Sequence, residues 1–200
     1  MADFGQAARW AVAAGFEVLE IHAGYGYLLH QFLSPLVNTR TDEYGGSLDN
    51  RTRLLREVVT EVRRHWPDQL PLFVRLSATD FADDAPASWT LADTGQLSAE
   101  LGQLGVDLVT SVGGGFQWPK APSPGHFVPF AEAIKQRGAG RAGAVGLITT
   151  AARADAIIRE GRADLVLVAS EHLRDPYFAL HAARELGVSV PIPYQYQRAY

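Results

Sequence analysis

Hydrophobic positions along the chain follow two alternating patterns, short continuous apolar runs and longer stretches in which apolar residues recur every three to four positions. The apolar runs are typical of strands buried on both faces of a parallel sheet, and they predict five strands at 16–21, 71–77, 106–112, 143–147 and 163–170. The helical repeats predict helices at 3–14, 47–65, 90–104, 128–136, 149–159 and 175–186. Because strands and helices alternate without a break in composition, we expect residues 1–200 to form one α/β domain of repeated βα units.

The first predicted strand ends on a histidine, His22, and the chain then turns through glycines that alternate with Tyr25 and Tyr27. One imidazole and two phenols therefore follow a parallel strand at its carboxyl end, which is where α/β folds bind their ligands. The residues alone leave two interpretations open: a chemical site, or an ordinary aromatic turn with a hydrogen-bonded histidine.

The segment that begins at His22, HAGYGYLLHQFLSPLVNTRTDEYGGSLDNR, resembles the signature of the old yellow enzyme family, FMN-dependent ene reductases built on a (β/α)8 barrel. Further family-like segments follow in order: FVRLSATDF at 73–81, GAVGLIT at 143–149, GRADLVLVASEHLRDPYF at 161–178 and the tail QYQRAY. The resemblance covers nearly the whole chain.

The resemblance implies a partial TIM barrel. A complete barrel has eight strands and typically about 250 residues, whereas this chain of 200 residues predicts five strands. Set against the family, the first three βα units are missing. An open five-stranded sheet would leave an apolar inner face and two unpaired edges, so we expect a cover: a second chain carrying those units, a second copy of this chain in a homo-oligomer, or a rearranged fold.

The resemblance also implies roles for single residues. His22 matches the first of two residues that hydrogen-bond the carbonyl oxygen of an α,β-unsaturated substrate, and Tyr25 stands where the family has the second, a histidine or asparagine. Tyr27 matches the donor of a proton to the α-carbon. Arg75 matches an arginine that lies against the pyrimidine edge of the flavin, with an interior salt bridge as its alternative role.

Three further positions concern the FMN phosphate and a neighbouring subunit. Gly146 matches the loop that approaches the phosphate, and Ala169-Ser170 stands where the family usually has Gly-Arg. Since a serine hydroxyl is a weaker phosphate ligand than a guanidinium, we expect FMN binding to be weakened or absent. Arg198 resembles an arginine that one subfamily inserts into its neighbour's active site, although a solvated tail residue is equally compatible with the sequence.

Composition excludes other classes of function. A net charge of −4 and only two lysines argue against nucleic acid as a partner. No apolar run approaches the roughly 20 residues that span a bilayer, and the first residues lack a signal-peptide pattern, so we expect no membrane association and a cytoplasmic location. Cysteine is absent and the histidines show no ligand spacing, so we expect no metal.

Three hypotheses follow. The leading one is an FMN-dependent, NAD(P)H-oxidising reductase that acts on an enone-like small molecule. The second is a flavin-free descendant that uses the pocket of His22, Tyr25 and Tyr27 for acid–base or cyclisation chemistry, and the third is a non-catalytic binding subunit. The chain has no G-x-S-x-G elbow, no phosphate-binding P-loop and no G-x-G-x-x-G after a strand. The motifs of α/β-hydrolases, P-loop nucleotide-binding proteins and dinucleotide-binding Rossmann folds are therefore absent.

Overall fold

The computed structural model describes residues 1–82, 84–85, 87–118, 121–137 and 140–199. Its centre is one sheet of five parallel strands whose order in space equals their order in the chain. The strands are β1 (Leu19–Ala23), β2 (Leu72–Ser77), β3 (Leu108–Val112), β4 (Arg141–Ala144) and β5 (Leu165–Val166). Helices fill each crossover, so the prediction of an α/β partial barrel with five parallel βα units is confirmed.

Eight α-helices and one 3-10 helix occur in the described part of the chain. They are α1 (Ala2–Ala13), α2 (Leu28–Leu33), α3 (Leu48–Arg63), α4 (Leu91–Gln103), α5 (Val128–Gln136), α6 (Ala151–Arg159), α7 (Ser170–Arg174), α8 (Phe178–Glu185) and the 3-10 helix Tyr194–Ala199. Polar caps start the two longest helices: Ser47 accepts a hydrogen bond from the backbone of Asn50 at the start of α3, and Thr90 forms a reciprocal capping box with Asp93 at the start of α4. None of the helices in these ranges is both long and apolar enough to cross a bilayer.

Four elements differ most from the sequence prediction. The short helices α2 and α7 were not predicted, because each lies in a loop with too few residues to show a helical repeat. Strand β5 has two residues instead of eight, since it pairs only with β4 within the described residues. The last helix begins at Phe178 rather than at residue 175, because Asp175 accepts a hydrogen bond from the backbone of Tyr177 and forms a turn first.

Alternate residues of the strands divide the sheet into two faces. One face packs against the helices and forms the hydrophobic core, which includes Ile21, Leu72, Val74, Leu76, Val109, Ala142 and Ala144 from the strands and Leu55, Val58, Val59, Val62, Leu97 and Leu101 from α3 and α4. The other face, here called the inner face, carries Glu20, His22, Arg75 and Thr110. The prediction that the inner face is apolar is therefore wrong in part, because the ion pair of Arg75 with Glu20 and the hydroxyl of Thr110 lie on it.

Candidate functional site

The carboxyl ends of the strands meet at one edge of the sheet, and the loops that follow β1, β2 and β3 are fastened together there. Ser77, at the end of β2, accepts a hydrogen bond from the backbone N–H of Tyr25 (2.9 Å) and donates one to the carbonyl of Gly114 (2.6 Å). Ser77 is fully buried. One hydroxyl therefore links the loop that carries the predicted site residues to the loop after β3.

His22 lies on β1, opposite Arg75 in the sheet register. The backbone N–H of Gly24 donates to its Nδ1 (3.1 Å), so the neutral ring carries its proton on Nε2. The surrounding protein partly desolvates the imidazole and thereby lowers the pKa of His22, and the nearby charge of Arg75 lowers it further against an opposing effect of Glu20. At neutral pH His22 is thus an uncharged hydrogen-bond donor.

Tyr25 is held in an unusual backbone conformation beside this histidine. Its φ of 55° lies in the left-handed region, which a bulky residue adopts only when its surroundings fix it. Its ring stacks on Trp118, with 5.6 Å between centroids and an interplanar angle of 27°, and lies 6.0 Å from the ring of His22. Burial raises the pKa of Tyr25 despite an opposing effect of Arg75, so the phenol keeps its proton and is a donor.

Tyr27 lies on the opposite side of the turn, at the start of α2. Its ring packs edge-on against His22 with 5.2 Å between centroids, and 63% of the residue is exposed. The structure therefore brings all three predicted catalytic side chains, His22, Tyr25 and Tyr27, into one cluster, in which Tyr27 has free access to solvent.

Arg75 forms an ion pair on the inner face of the sheet. Its Nε lies 3.0 Å from Oε2 of Glu20, and the other carboxylate oxygen of Glu20 accepts a hydrogen bond from Thr110 (2.6 Å). The salt bridge considered from the sequence is therefore present. It does not remove Arg75 from the site, because Arg75 also lines the cavity described next.

A cavity of about 500 Å³ extends along the carboxyl edge of the sheet. It is lined by residues that lie on or follow each of the five strands, among them Tyr25, Arg75, Trp118, Gly146, Ala169, Ser170 and Arg174. Its volume lies within the range of cofactor and ligand pockets. The predicted cofactor residues thus share one cavity with Tyr25, whereas His22 flanks it through its contact with Tyr25, and Tyr27 packs against His22.

Gly146 gives this cavity a close backbone approach. Its φ is +108°, and a Cβ added there would lie 3.0 Å from the ring of Phe127 and 3.1 Å from that of His126. Only glycine fits such a position without strain. The missing side chain therefore makes room for these two rings, and the backbone of Gly146 lines the cavity.

The cation that the sequence lacks at Ser170 is present one helical turn later. Ser170 begins α7, and Arg174 at the end of the same helix lines the same cavity, where it pairs with Glu171 (2.6 Å). Sequence reasoning missed Arg174, and it also missed Ser77 and Trp118. The side chain of Arg174 is 63% exposed, so it can exchange Glu171 for another anion.

Arg198 lies in the exposed 3-10 helix Tyr194–Ala199 and does not line the cavity. Its predicted insertion into a neighbouring subunit remains a prediction. Within the described ranges, no group of three or more His, Asp or Glu side chains is arranged to hold a metal ion.

Comparisons with known proteins agree with the resemblance. The model of the NADH:flavin oxidoreductase / NADH oxidase family matches residues 1–188. The NADPH dehydrogenase of Bacillus subtilis (strain 168) is 46% identical over 199 residues, which cover 99% of this chain and 57% of that protein. The NADPH dehydrogenase of Listeria monocytogenes serovar 1/2a is 45% identical over 210 residues, which cover 100% of this chain and 58% of that protein. The chain thus spans little more than half the length of these curated relatives.

Two solved structures extend the comparison. Morphinone reductase in complex with tetrahydroNAD superposes with a TM-score of 0.72 at 30% identity, over 96% of this chain and 49% of that one. 2-Naphthoyl-CoA reductase in complex with 2-naphthoyl-CoA superposes with a TM-score of 0.82 at 28% identity, over 92% of this chain and 28% of that one.

Proposed function

Because this chain belongs to the NADH:flavin oxidoreductase / NADH oxidase family, we propose that it carries the site of an FMN-dependent, NAD(P)H-oxidising reductase of activated C=C bonds in α,β-unsaturated carbonyl compounds. The observation that supports this most is the hydrogen-bonded state of His22, a neutral imidazole whose free proton is on Nε2. It stands beside two phenols, at the edge of a cavity that Arg75 and Gly146 line.

The residues present fit FMN. Arg75 offers a guanidinium whose Nε lies at ion-pair distance from Glu20 without a directed hydrogen bond, and its Nη groups make no hydrogen bond among the described residues, so they can face the ring. The backbone of Gly146 lines the cavity where the phosphate would bind, and Arg174 offers a positive charge in place of the family's arginine at Ser170. When bound, FMN supplies the hydride that reaches the β-carbon of the alkene, having received it from NAD(P)H.

His22 and Tyr25 bind the substrate's carbonyl oxygen in this proposal. Reduction at the β-carbon shifts negative charge onto that oxygen, and two neutral donors stabilise it as it develops. Removing one donor of this kind from an enzyme costs roughly 10²–10³ in kcat. The uncharged state of both donors matters. An imidazolium would transfer its proton to the developing enolate, whereas a neutral imidazole stabilises the enolate oxygen by a hydrogen bond.

Tyr27 supplies the second hydrogen. As the enolate collapses, the phenol O–H of Tyr27 gives its proton to the α-carbon, and the phenolate regains a proton from water. The exposure of Tyr27 makes this return direct. The two new C–H bonds therefore come from the flavin at the β-carbon and from Tyr27 at the α-carbon, and NAD(P)H is oxidised once for each alkene.

One feature of the cavity favours a second candidate function. Ser170 is neutral and the carboxylate of Glu171 lines the same cavity, and both weaken a phosphate site. A flavin-free enzyme would keep His22, Tyr25 and Tyr27 for isomerisation or cyclisation of an enone-like molecule. These reactions involve no net oxidation or reduction.

The test begins with purified chain, whose size-exclusion mass also reports whether a second copy joins it. FMN is titrated while the visible spectrum is recorded, and the complex is then reduced anaerobically with NADPH or NADH and mixed with 2-cyclohexenone. We expect bound flavin, reoxidation by the enone, and a loss of about 100-fold in that step for His22→Ala. Tyr177→Phe, which changes an exposed phenol outside the cluster, is the control.

Two results would contradict the proposal. If the folded protein, alone or supplied with the remaining βα units on a second chain, binds no flavin and reduces no enone, it is not a flavin reductase. Conversion of the enone without flavin or NAD(P)H would instead support the second candidate.

A further inference from the structure

A histidine and an aspartate are completely buried directly behind the loop that carries Tyr25 and Tyr27. His30 lies in α2 and Asp80 in the loop after β2, and both side chains have no exposed surface. Ionisable residues are rarely buried to this extent unless they are paired. The function proposed above uses neither of them.

The contacts of His30 give its two nitrogens different partners. Its Nδ1 accepts a hydrogen bond from the backbone N–H of Gly26 (2.9 Å), and its Nε2 lies 3.2 Å from Oδ1 of Asp80. The second contact has the distance of an ion pair without the direction of a hydrogen bond, and neither atom has another partner among the described residues. Because Nδ1 accepts, the neutral ring carries its proton on Nε2, toward the carboxylate.

Asp80 is itself held from behind. Its Oδ2 accepts hydrogen bonds from the hydroxyl of Ser34 (2.6 Å) and from the backbone N–H of Trp89 (2.7 Å). These two donors occupy Oδ2, so Oδ1 remains for the histidine. The opposite tautomer of His30 would place an N–H against the N–H of Gly26 and a lone pair against the carboxylate, and both contacts would be repulsive.

From these contacts we infer that His30 and Asp80 form a buried positioning pair that fixes the turn between Tyr25 and Tyr27. Gly26 is the residue between the two phenols, and its own φ of +79° follows the φ of 55° of Tyr25. Glycine adopts a positive φ freely, but a bulky residue such as Tyr25 keeps one only when the peptide beside it is held. The acceptor that holds it is Nδ1 of His30, and Asp80 keeps that nitrogen free of a proton.

The pair also reaches the loop after β3. Phe116 stacks on the ring of His30, with 4.8 Å between centroids and an interplanar angle of 23°. His30 is therefore in contact with the two loops that Ser77 also links. The inference rests on the proposed function where it concerns catalysis: the pair touches no substrate and acts by orienting Tyr25 and Tyr27.

Two substitutions of His30 separate its two contacts. The amide oxygen of asparagine can replace Nδ1 as the acceptor for Gly26, whereas the amide nitrogen of glutamine can replace Nε2 as the group that faces Asp80. We therefore expect amide hydrogen exchange at Gly26 to stay within about threefold of the parent in His30→Asn and to accelerate about tenfold in His30→Gln.

Asp80→Asn tests the coupling, because this residue does not touch the loop. An asparagine must still accept from Ser34 and Trp89, so its NH₂ group faces Nε2 of His30 and moves the ring proton to Nδ1. We expect about tenfold faster exchange at Gly26 here as well. The control is His181→Gln, which alters an exposed His–Asp pair in α8 (2.7 Å to Asp175).

The ring proton is observed directly by ¹⁵N NMR of the full chain with labelled histidine. We expect an unprotonated Nδ1 and a protonated Nε2 for His30 in the parent protein, and the reverse in Asp80→Asn. In the reductase assay, His30→Gln should lower kcat for the enone about tenfold or more while the rate of flavin reduction by NAD(P)H stays unchanged.

A parent His30 protonated on Nδ1, or equal exchange at Gly26 in the asparagine and glutamine variants, would overturn the inference. The first of these measurements needs no variant, so it decides even if a substituted protein fails to fold. Both are also independent of turnover. If the parent reduces no enone, the proposed function fails, and the tautomer and exchange results still decide whether the pair positions the loop.

Discussion

Replacing Ser77 by alanine should loosen the candidate site, because one hydroxyl group links two of its loops. The hydroxyl of Ser77 accepts from the backbone of Tyr25 and donates to the carbonyl of Gly114, at 2.9 Å and 2.6 Å. Both Ser77 and Gly114 are buried, and Tyr25 is partly buried. Alanine would therefore leave a donor and an acceptor without partners in a region from which water is largely excluded.

The size of the effect follows from these two contacts. A hydrogen bond contributes about 1 kcal/mol net, and a buried partner left unsatisfied costs about 1–3 kcal/mol. Because Tyr25 keeps some access to water, we expect Ser77→Ala to lower the free energy of unfolding by about 2–3 kcal/mol. For a chain of this length, that change corresponds to a fall in Tm of about 5–10 °C.

Ser98→Ala is the matched control, because Ser98 is an equally buried serine in α4. Its hydroxyl donates to the carbonyl of Thr94 (2.7 Å), which the helix backbone already satisfies, so removing it should change stability by less than about 0.5 kcal/mol. Urea unfolding followed by circular dichroism compares the two. Equal losses in both variants would refute the claim that Ser77 matters as a link between loops.

Three further predictions concern the cavity and its donors. Glu20→Gln should lower the pKa of His22 and Arg75→Gln should raise it, and a ¹⁵N titration measures both shifts. Because the pKa of His22 in the folded protein lies below the ordinary value, neutral His22 contributes its full stability above about pH 6.5. That stability is lost as the pH falls through the pKa of the folded state. Gly146→Ala should weaken FMN binding at least about tenfold in a fluorescence titration, because the added methyl meets Phe127 at a strained φ. Ser170→Arg should tighten FMN binding about tenfold or more, whereas Ser170→Ala should change it little.

The sheet could be predicted from the sequence because its evidence is local. A strand buried on both faces reads as a short apolar run, and each of the five runs was found within a few residues of its observed position. Strand β5 is the exception. Its length depends on whether it has a partner strand on each side, and the sequence of the strand itself does not show this.

The site could be predicted only in part, because most of its structure lies in contacts between distant residues. His22, Tyr25 and Tyr27 were found through one continuous segment. The hydroxyl of Ser77 reaches a residue 52 positions away, and the stack of Trp118 on Tyr25 joins two loops that share no motif. Arg174 could not be predicted from the motif, because the family's arginine corresponds to Ser170 and the cation that lines the cavity lies one helical turn later.

The division between strands and loops has a consequence for how the site works. Glu20, Arg75 and Thr110 lie on three adjacent strands, and their mutual contacts hold the guanidinium of Arg75 in place before any cofactor arrives. A charge that is oriented in advance loses little entropy when it binds its ligand. Of the two donors to the carbonyl, His22 lies on β1, whereas Tyr25 lies in the loop after β1, which a single serine and a buried histidine hold. Cofactor binding should therefore tolerate changes in the loop after β1, whereas the fit of the substrate depends on how firmly those two residues hold that loop.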